Sequence, residues 1–232
     1  MVMFLIFSAV FGLSMAATIM VGQAMGRGDM DEVRRTTGAT TGAFIVISLI
    51  IAVLGGTLTP PLLRLLATPA EAFPHAVEFL KYVFYGIPLV FVSMLLQSAL
   101  RGVGDAVTPL WTTVLNLILS VLLNPLLILG WGPIPALGLT GAALAGVLTN
   151  GICLLFLVAR IYMLNSPLCL RGPQWRLLRP DWAHLKPVLT MGVPMSLSMV
   201  IMSISSVIMM GLINREGVDT IAGYNAANQL WN

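Results

Sequence analysis

Six runs of roughly twenty or more apolar residues, separated by short stretches of charge or by glycine and proline, dominate the chain, and a helix of about 20 apolar residues crosses the hydrocarbon core of a bilayer. In lipid every backbone N–H and C=O has to be satisfied inside the protein, so runs of this kind fold as helices. Helix A reads from about Met3 to Gly26 and helix B from about Thr37 to Leu58, stopping at Thr59-Pro60-Pro61. Helix C reads from about Ala76 to Leu100 with Pro88 inside it, and helix D from about Pro109 to Leu129. Helix E reads from about Leu137 to Leu164 and helix F from about Val188 to Ile213. A seventh run begins near Thr220 and meets the last residue, Asn232, before it is long enough to cross. Of 232 residues only 9% are charged and 58% are hydrophobic, against roughly 25% charged in soluble domains. That excludes a soluble globular fold. The expected class is all-α: a polytopic helical membrane protein with the lipid bilayer as its surroundings.

Orientation follows from lysine and arginine, which accumulate in cytoplasmic connections. Arg27, Arg34, Arg35, Arg101, Arg160, Arg171, Arg176, Arg179 and Lys186 lie in the A–B, C–D and E–F connections, nine in all, whereas Arg64, Lys81 and Arg215 make three on the other side. This places loops 27–35, 101–108 and 160–187 in the cytoplasm of a multi-pass protein of the cell (inner) membrane. It puts Met1 outside, where it has no charged flank, so a further helix is expected before it. The formal net charge of +3 reports topology and not nucleic acid, because the arginines are not interleaved with aromatics on one face.

Enzyme chemistry is not expected. His75 reads as a loop residue beside Pro74 and His184 as part of the basic E–F segment, so no nucleophile, base and acid share an intramembrane face. No phosphate-binding G-x-x-x-x-G-K-[ST] run and no T-V-G-Y-G filter occur. Cys153 and Cys169 are too few and too far apart for a metal or disulfide framework, and neither a metal nor a cofactor is expected.

Polar residues inside the spans carry more information, since each tends to face the bundle interior or a water-filled cavity. On helix D, Thr112, Asn116, Ser120 and Asn124 recur every four residues and share one face. They read either as interhelical hydrogen bonds, worth about 0.6 to 2 kcal/mol each, or as a cavity wall. Asn124-Pro125 also frees a backbone carbonyl within the helix. On helix F, Met195, Met199, Met202, Ser203, Ser206 and Met210 follow helical spacing after Met191 and Pro194, a pattern that suits plain packing or an adaptable wet cavity. Gln97 on helix C and Thr149-Asn150 on helix E join them. The candidate substrate cavity is therefore Gln97, Asn116, Ser120, Asn124, Thr149, Asn150, Met199, Met202 and Ser203. Gly22 with Gly26 and Gly38 with Gly42 read as close helix contacts. Glu78, with Lys81 three residues on, reads as an interfacial pair.

Several stretches together resemble the multidrug and toxic compound extrusion (MATE) family: Val21-Gly-Gln-Ala-Met-Gly-Arg-Gly-Asp29, Leu100-Arg-Gly-Val-Gly-Asp105 with Thr108-Pro109, Gly138-Leu-Thr-Gly-Ala-Ala-Leu-Ala145, and Met191-Gly-Val-Pro194 followed by Ile221-Ala-Gly-Tyr224. The resemblance implies two six-helix lobes, with helices A to F as the second to seventh. Residues 1–164 are then the first lobe without its first helix, 165–187 a basic cytoplasmic linker, and 188–232 the start of the second lobe, whose remaining helices function requires. It further implies antiport of small-molecule drugs or toxic metabolites, often amphipathic or cationic, against sodium or protons. The match departs from the family pattern where the DinF-type branch has Asp, Asn and Thr and this chain has Asn124, Ser120 and Gly146. Met202 stands where NorM-type members have Glu. Ser120 and Asn124 still offer oxygens to sodium but cannot exchange a proton near neutral pH. Two other readings are a lipid-linked saccharide flippase of the same superfamily and a non-transporting membrane fragment or subunit.

Overall fold

A computed structural model describes residues 2–65, 73–130, 138–164, 166–169 and 181–213. These form six helices: α1 (Val2–Gly26), α2 (Met30–Leu65), α3 (Phe73–Gly102), α4 (Val107–Leu129), α5 (Gly138–Met163) and α6 (Trp182–Ile213). No strand occurs among the described residues. Each of α2 to α6 contains a stretch long and apolar enough to cross a membrane. The expected seventh run, from Thr220, lies outside the described residues.

The apolar runs locate every helix, but several ends lie elsewhere because hydrogen-bond capping, not hydropathy, sets them. Helix α2 starts at Met30, well before Thr37, since Gly28 turns the chain at φ +73° and Asp29 Oδ1 accepts from the Glu32 amide at 3.0 Å. It also does not stop at Thr59-Pro60-Pro61. Each proline removes a donor and crowds the carbonyl one turn back, yet α2 continues through both to Leu65, and the Thr59 hydroxyl donates to Gly55 O at 2.6 Å. Helix α3 begins at Phe73, so Pro74 sits in its first turn, where a missing N–H costs nothing, and His75 is helical instead of a loop residue. Helix α6 begins at Trp182 and runs through Pro187 and Pro194, with Asp181 Oδ1 accepting from the Ala183 amide at 3.1 Å. Residues 182–187 of the basic segment are thus helical, and 170–180 lie outside the described residues.

Helix α3 is the centre, packed by α1, α2 and α5 and touched by α4, while α6 packs on α1 and α2 and α4 packs mainly on α5. One apolar core joins Phe84, Ile87, Phe91 and Leu95 of α3 to Ala16, Ala17, Phe44 and Val188, with Met191 and Met195 packed on it. A second joins Val21, Ala24, Val33, Ala99, Leu100, Leu157 and Ile161 to Leu168 and Cys169. This second core gathers the α1–α2 and α3–α4 corners and the end of α5 at one end of the bundle, the end that carries Arg27, Arg34, Arg35, Arg101 and Arg160.

Two crossings are backbone-close. A Cβ on Gly102 would lie 2.7 Å from Thr18 O, and one on Gly22 would lie 3.3 Å from Gly102 O. The Thr18 hydroxyl is shared there between Ser14 O at 3.1 Å and Ser98 O at 2.9 Å. Gly22 is the close contact its spacing suggests. Gly26 is not, as a Cβ there would meet nothing within 4 Å. The second crossing joins α1 to α6, where a Cβ on Gly12 would fall on the Ser196 backbone and one on Gly192 would lie 2.6 Å from Leu13 Cδ2. Glu78 accepts from Thr140 Oγ1 of α5 at 3.5 Å, and among the described residues no ion pair joins it to Lys81.

Candidate functional site

Helical spacing lines up Ser93 with Gln97 on α3, Thr112 and Thr113 with Asn116 on α4, and Asn150 with Cys153 on α5. Where these three helices meet, those seven residues line a cavity of about 180 Å³. Ser93, Thr112 and Cys153 are buried, and Gln97, Asn116 and Asn150 are half-buried. A hydroxyl in an apolar helix satisfies itself most easily by donating to the carbonyl one turn back, and Thr112 Oγ1 donates to Thr108 O at 2.9 Å, Thr113 Oγ1 to Pro109 O at 3.0 Å. Asn150 Nδ2 likewise donates to Gly146 O at 2.8 Å. Ser93 Oγ, fully buried, has no hydrogen-bond partner. No carboxylate, lysine or arginine is among the lining residues.

Next to it an apolar groove of about 250 Å³ runs between α1, α3 and α5, lined by Phe7, Phe79, Val83, Gly86, Ile87, Val90, Ala142, Ala143, Gly146, Val147 and Asn150. Asn150 belongs to both, so one amide separates a polar space from an apolar one.

Of the candidate substrate-cavity residues, the fold brings Gln97, Asn116 and Asn150 together from three helices. Thr149 is buried beside Asn150 but does not line the cavity, and its Oγ1 has no partner. Ser120 and Asn124 lie farther along α4 and engage each other, with Asn124 Nδ2 donating to Ser120 O at 2.8 Å and to its Oγ at 3.1 Å. Met199 and Met202 are exposed on α6, which does not pack on α4 or α5. The Ser203 side chain lies outside the described residues. The sequence reading missed Ser93, Thr113 and Cys153. Ser93 stands four residues from Gln97, Thr113 three from Asn116 and Cys153 three from Asn150, a same-face spacing that would have pointed to all three.

At the arginine-rich end the chain turns the same way twice. Gly28 N donates to Met25 O and Asp29 N to Ala24 O, and Gly104 N donates to Arg101 O and Asp105 N to Leu100 O. Both glycines have positive φ, and both aspartates then cap the following helix. Burial alone would raise the Asp105 carboxyl, but the Thr108 hydroxyl, the amides of Thr108 and Val107 and the nearby Arg160 together hold it below its ordinary value. Nearby, His184 Nδ1 lies 2.8 Å from Asp181 Oδ2 and its Nε2 lies 3.5 Å from Glu32 Oε2, so the imidazole bridges the start of α6 to the first turn of α2. The Ala183 amide and then His184 hold Asp181 below its ordinary value.

The MatE family signature matches residues 1–126. The chain is 29% identical over 227 residues to the probable multidrug resistance protein YoeA of Bacillus subtilis, covering 98% of this chain and 49% of that relative. It is 31% identical over 142 residues to an FAD transporter of Shewanella oneidensis, covering 61% of this chain and 31% of the relative. Its fold superposes on the crystal structure of the Vibrio cholerae MATE transporter VcmN in the bent form with a TM-score of 0.80 at 20% identity, covering 99% of this chain and 50% of that one. The chain therefore spans about half the length of YoeA and VcmN and about a third of that of the FAD transporter. These similar proteins are transporters and not enzymes.

Proposed function

Because this chain belongs to the MatE family, we propose that it works as part of a two-lobe secondary transporter that exports amphipathic or cationic small molecules in exchange for sodium or protons. Residues 1–164 belong to the first lobe, 165–187 link the lobes across the cytoplasmic face, and 188–232 open the second. Alternating access then moves α6 with its own lobe against α1 and α2, around a site near the middle of the membrane.

The observation that carries this reading is the meeting of Gln97, Asn116 and Asn150 in one cavity. Polar side chains drawn from three helices into a shared space have a use beyond gluing two helices together. Ser120 and Asn124 continue the polar stripe of α4 beyond the cavity, and a role for Met199, Met202 and Ser203 in the substrate path calls for a different arrangement of α6 in the transport cycle, since α6 does not pack on α4 or α5 here. The flippase reading is the weaker one, because a pyrophosphate calls for arginine or lysine, and the cavity is lined by neither.

The test is transport by the complete protein in proteoliposomes. A sodium or pH gradient is expected to drive efflux of ethidium, and its collapse by an ionophore to stop it. Efflux that ignores both gradients overturns the proposal.

A further inference from the structure

At the arginine-rich end a single imidazole joins α6 to α2. His184 Nδ1 lies 2.8 Å from Asp181 Oδ2, just before α6, and its Nε2 lies 3.5 Å from Glu32 Oε2 in the first turn of α2. Glu32 is itself held in place: its amide donates to Asp29 Oδ1 at 3.0 Å, and its Oε1 accepts from Thr36 Oγ1 at 3.5 Å. Both partners stand beside firm packing, since Val33 is fully buried in one core and Val188, one turn after His184, is buried in the other. The His184 side chain is only 17% exposed, so salt screens this contact less than it screens an open surface pair.

Carboxylates are ionised near neutral pH and then accept without donating. A neutral imidazole has one N–H to give and an imidazolium has two. The neutral ring serves Asp181 at the shorter distance and turns a lone pair towards Glu32. Only the imidazolium satisfies both carboxylates, so the half of the bridge that joins the two helices is the half that needs the second proton. No other cation takes its place, because among the described residues no lysine or arginine pairs with Glu32. Arg34 lies 3.9 Å from Asp31, Arg35 acts on Asp181, and Arg27 of the α1–α2 corner and Lys186 of α6 are exposed.

We propose that His184 is a proton-dependent latch at this end of the molecule: its imidazolium ties the start of α6 to the first turn of α2, and loss of the second proton releases the tie. Imidazole is the side chain whose charge ordinarily changes between about pH 5 and 8, so an acid cytoplasm tightens the contact and a more alkaline one loosens it. The proposal rests on the two-lobe reading, in which α6 has to leave α2 before the cavity opens to the cytoplasm. It assigns His184 a control on that step, separate from the ion exchanged for substrate.

The test is the distance between spin labels on Arg27→Cys and Lys186→Cys, both exposed at this end, in the complete protein in nanodiscs with its other cysteines replaced. Raising the pH from about 5.5 to about 8 is expected to increase the long-distance, open population about threefold or more. His184→Ala should leave that population high at both pH values. Glu32→Gln, whose amide offers a donor to the neutral ring and an acceptor to the charged one, should keep it low at both, which separates a changed latch from a lost fold. An open population that does not rise with pH, or a rise retained in both variants, overturns the proposal. Ethidium efflux from proteoliposomes separates it from the export reading: acid pH on the cytoplasmic face should slow efflux, and His184→Ala should relieve the slowing. A pH-dependent distance in a protein that moves no dye supports the latch and counts against export, whereas efflux with an unchanging distance overturns the latch alone.

Discussion

Thr108 Oγ1 donates to Asp105 Oδ2 at 2.6 Å, while the Thr108 and Val107 amides donate to the other carboxylate oxygen at 3.0 and 3.1 Å. One carboxylate thereby satisfies three donors at the start of α4, a helix whose first amides have no partner of their own. Asp105→Ala is expected to destabilise the bundle by about 1 to 2 kcal/mol, the usual worth of an N-terminal cap. Asp105→Asn should recover part of it. Thermal melting in detergent, followed by size-exclusion fluorescence, checks both.

The same carboxylate sets an acid limit. Its folded pKa lies below the ordinary 3.8, so its contribution is fully present above the unfolded value and fades as pH falls through the folded one. Stability from this group should be flat from pH 7 to about 5 and decline below about 4. Asp105→Ala should flatten that decline, which denaturation midpoints measured against pH will show.

The crossing of α1 and α6 leaves no room for a side chain, since a Cβ on Gly12 would lie 2.6 Å from Ser196 Cα and closer still to its amide nitrogen. Gly12→Leu therefore has to push the helices apart, with an expected loss of about 1 to 3 kcal/mol, typical of overpacking. Gly26→Leu, where a Cβ meets nothing within 4 Å, should change little. Comparing the two melting temperatures tests the contact itself.

Sidedness is open to cysteine labelling in intact cells. Asp31 and Ser166 lie at the arginine-rich end and Glu78 and Leu139 at the other. A membrane-impermeant maleimide is expected to reach cysteines at 78 and 139 and to spare 31 and 166 until the membrane is permeabilised. Labelling of position 31 from outside would invert the topology.

Asn124 distinguishes a transport wall from a structural contact, because its amide is satisfied within α4 at Ser120. In the complete protein Asn124→Leu should reduce ethidium export several-fold while the amount inserted stays nearly unchanged, as roughly 1 kcal/mol is at stake in such a contact. Export that falls only in proportion to protein level assigns the residue to structure.

The six described helices and their approximate places were legible in the sequence, because a bilayer of fixed thickness demands apolar runs of fixed length. So were the polar positions on each helix, because a period of 3.6 residues lines them on one face. The ends were not: Asp29, Asp105 and Asp181 begin helices before the apolar runs do, and Pro60 and Pro61 leave α2 unbroken. Nor did spacing reveal which faces meet. Gln97, Asn116 and Asn150 share a cavity only because α3 is central and both α4 and α5 pack at its side, whereas Met199 and Met202 follow α6 to the opposite side. Periodicity constrains one helix at a time. Which helix becomes its neighbour was decided by contacts distant in sequence, such as Gly22 on Gly102 and Gly12 on Ser196, where the absence of a side chain lets two backbones approach.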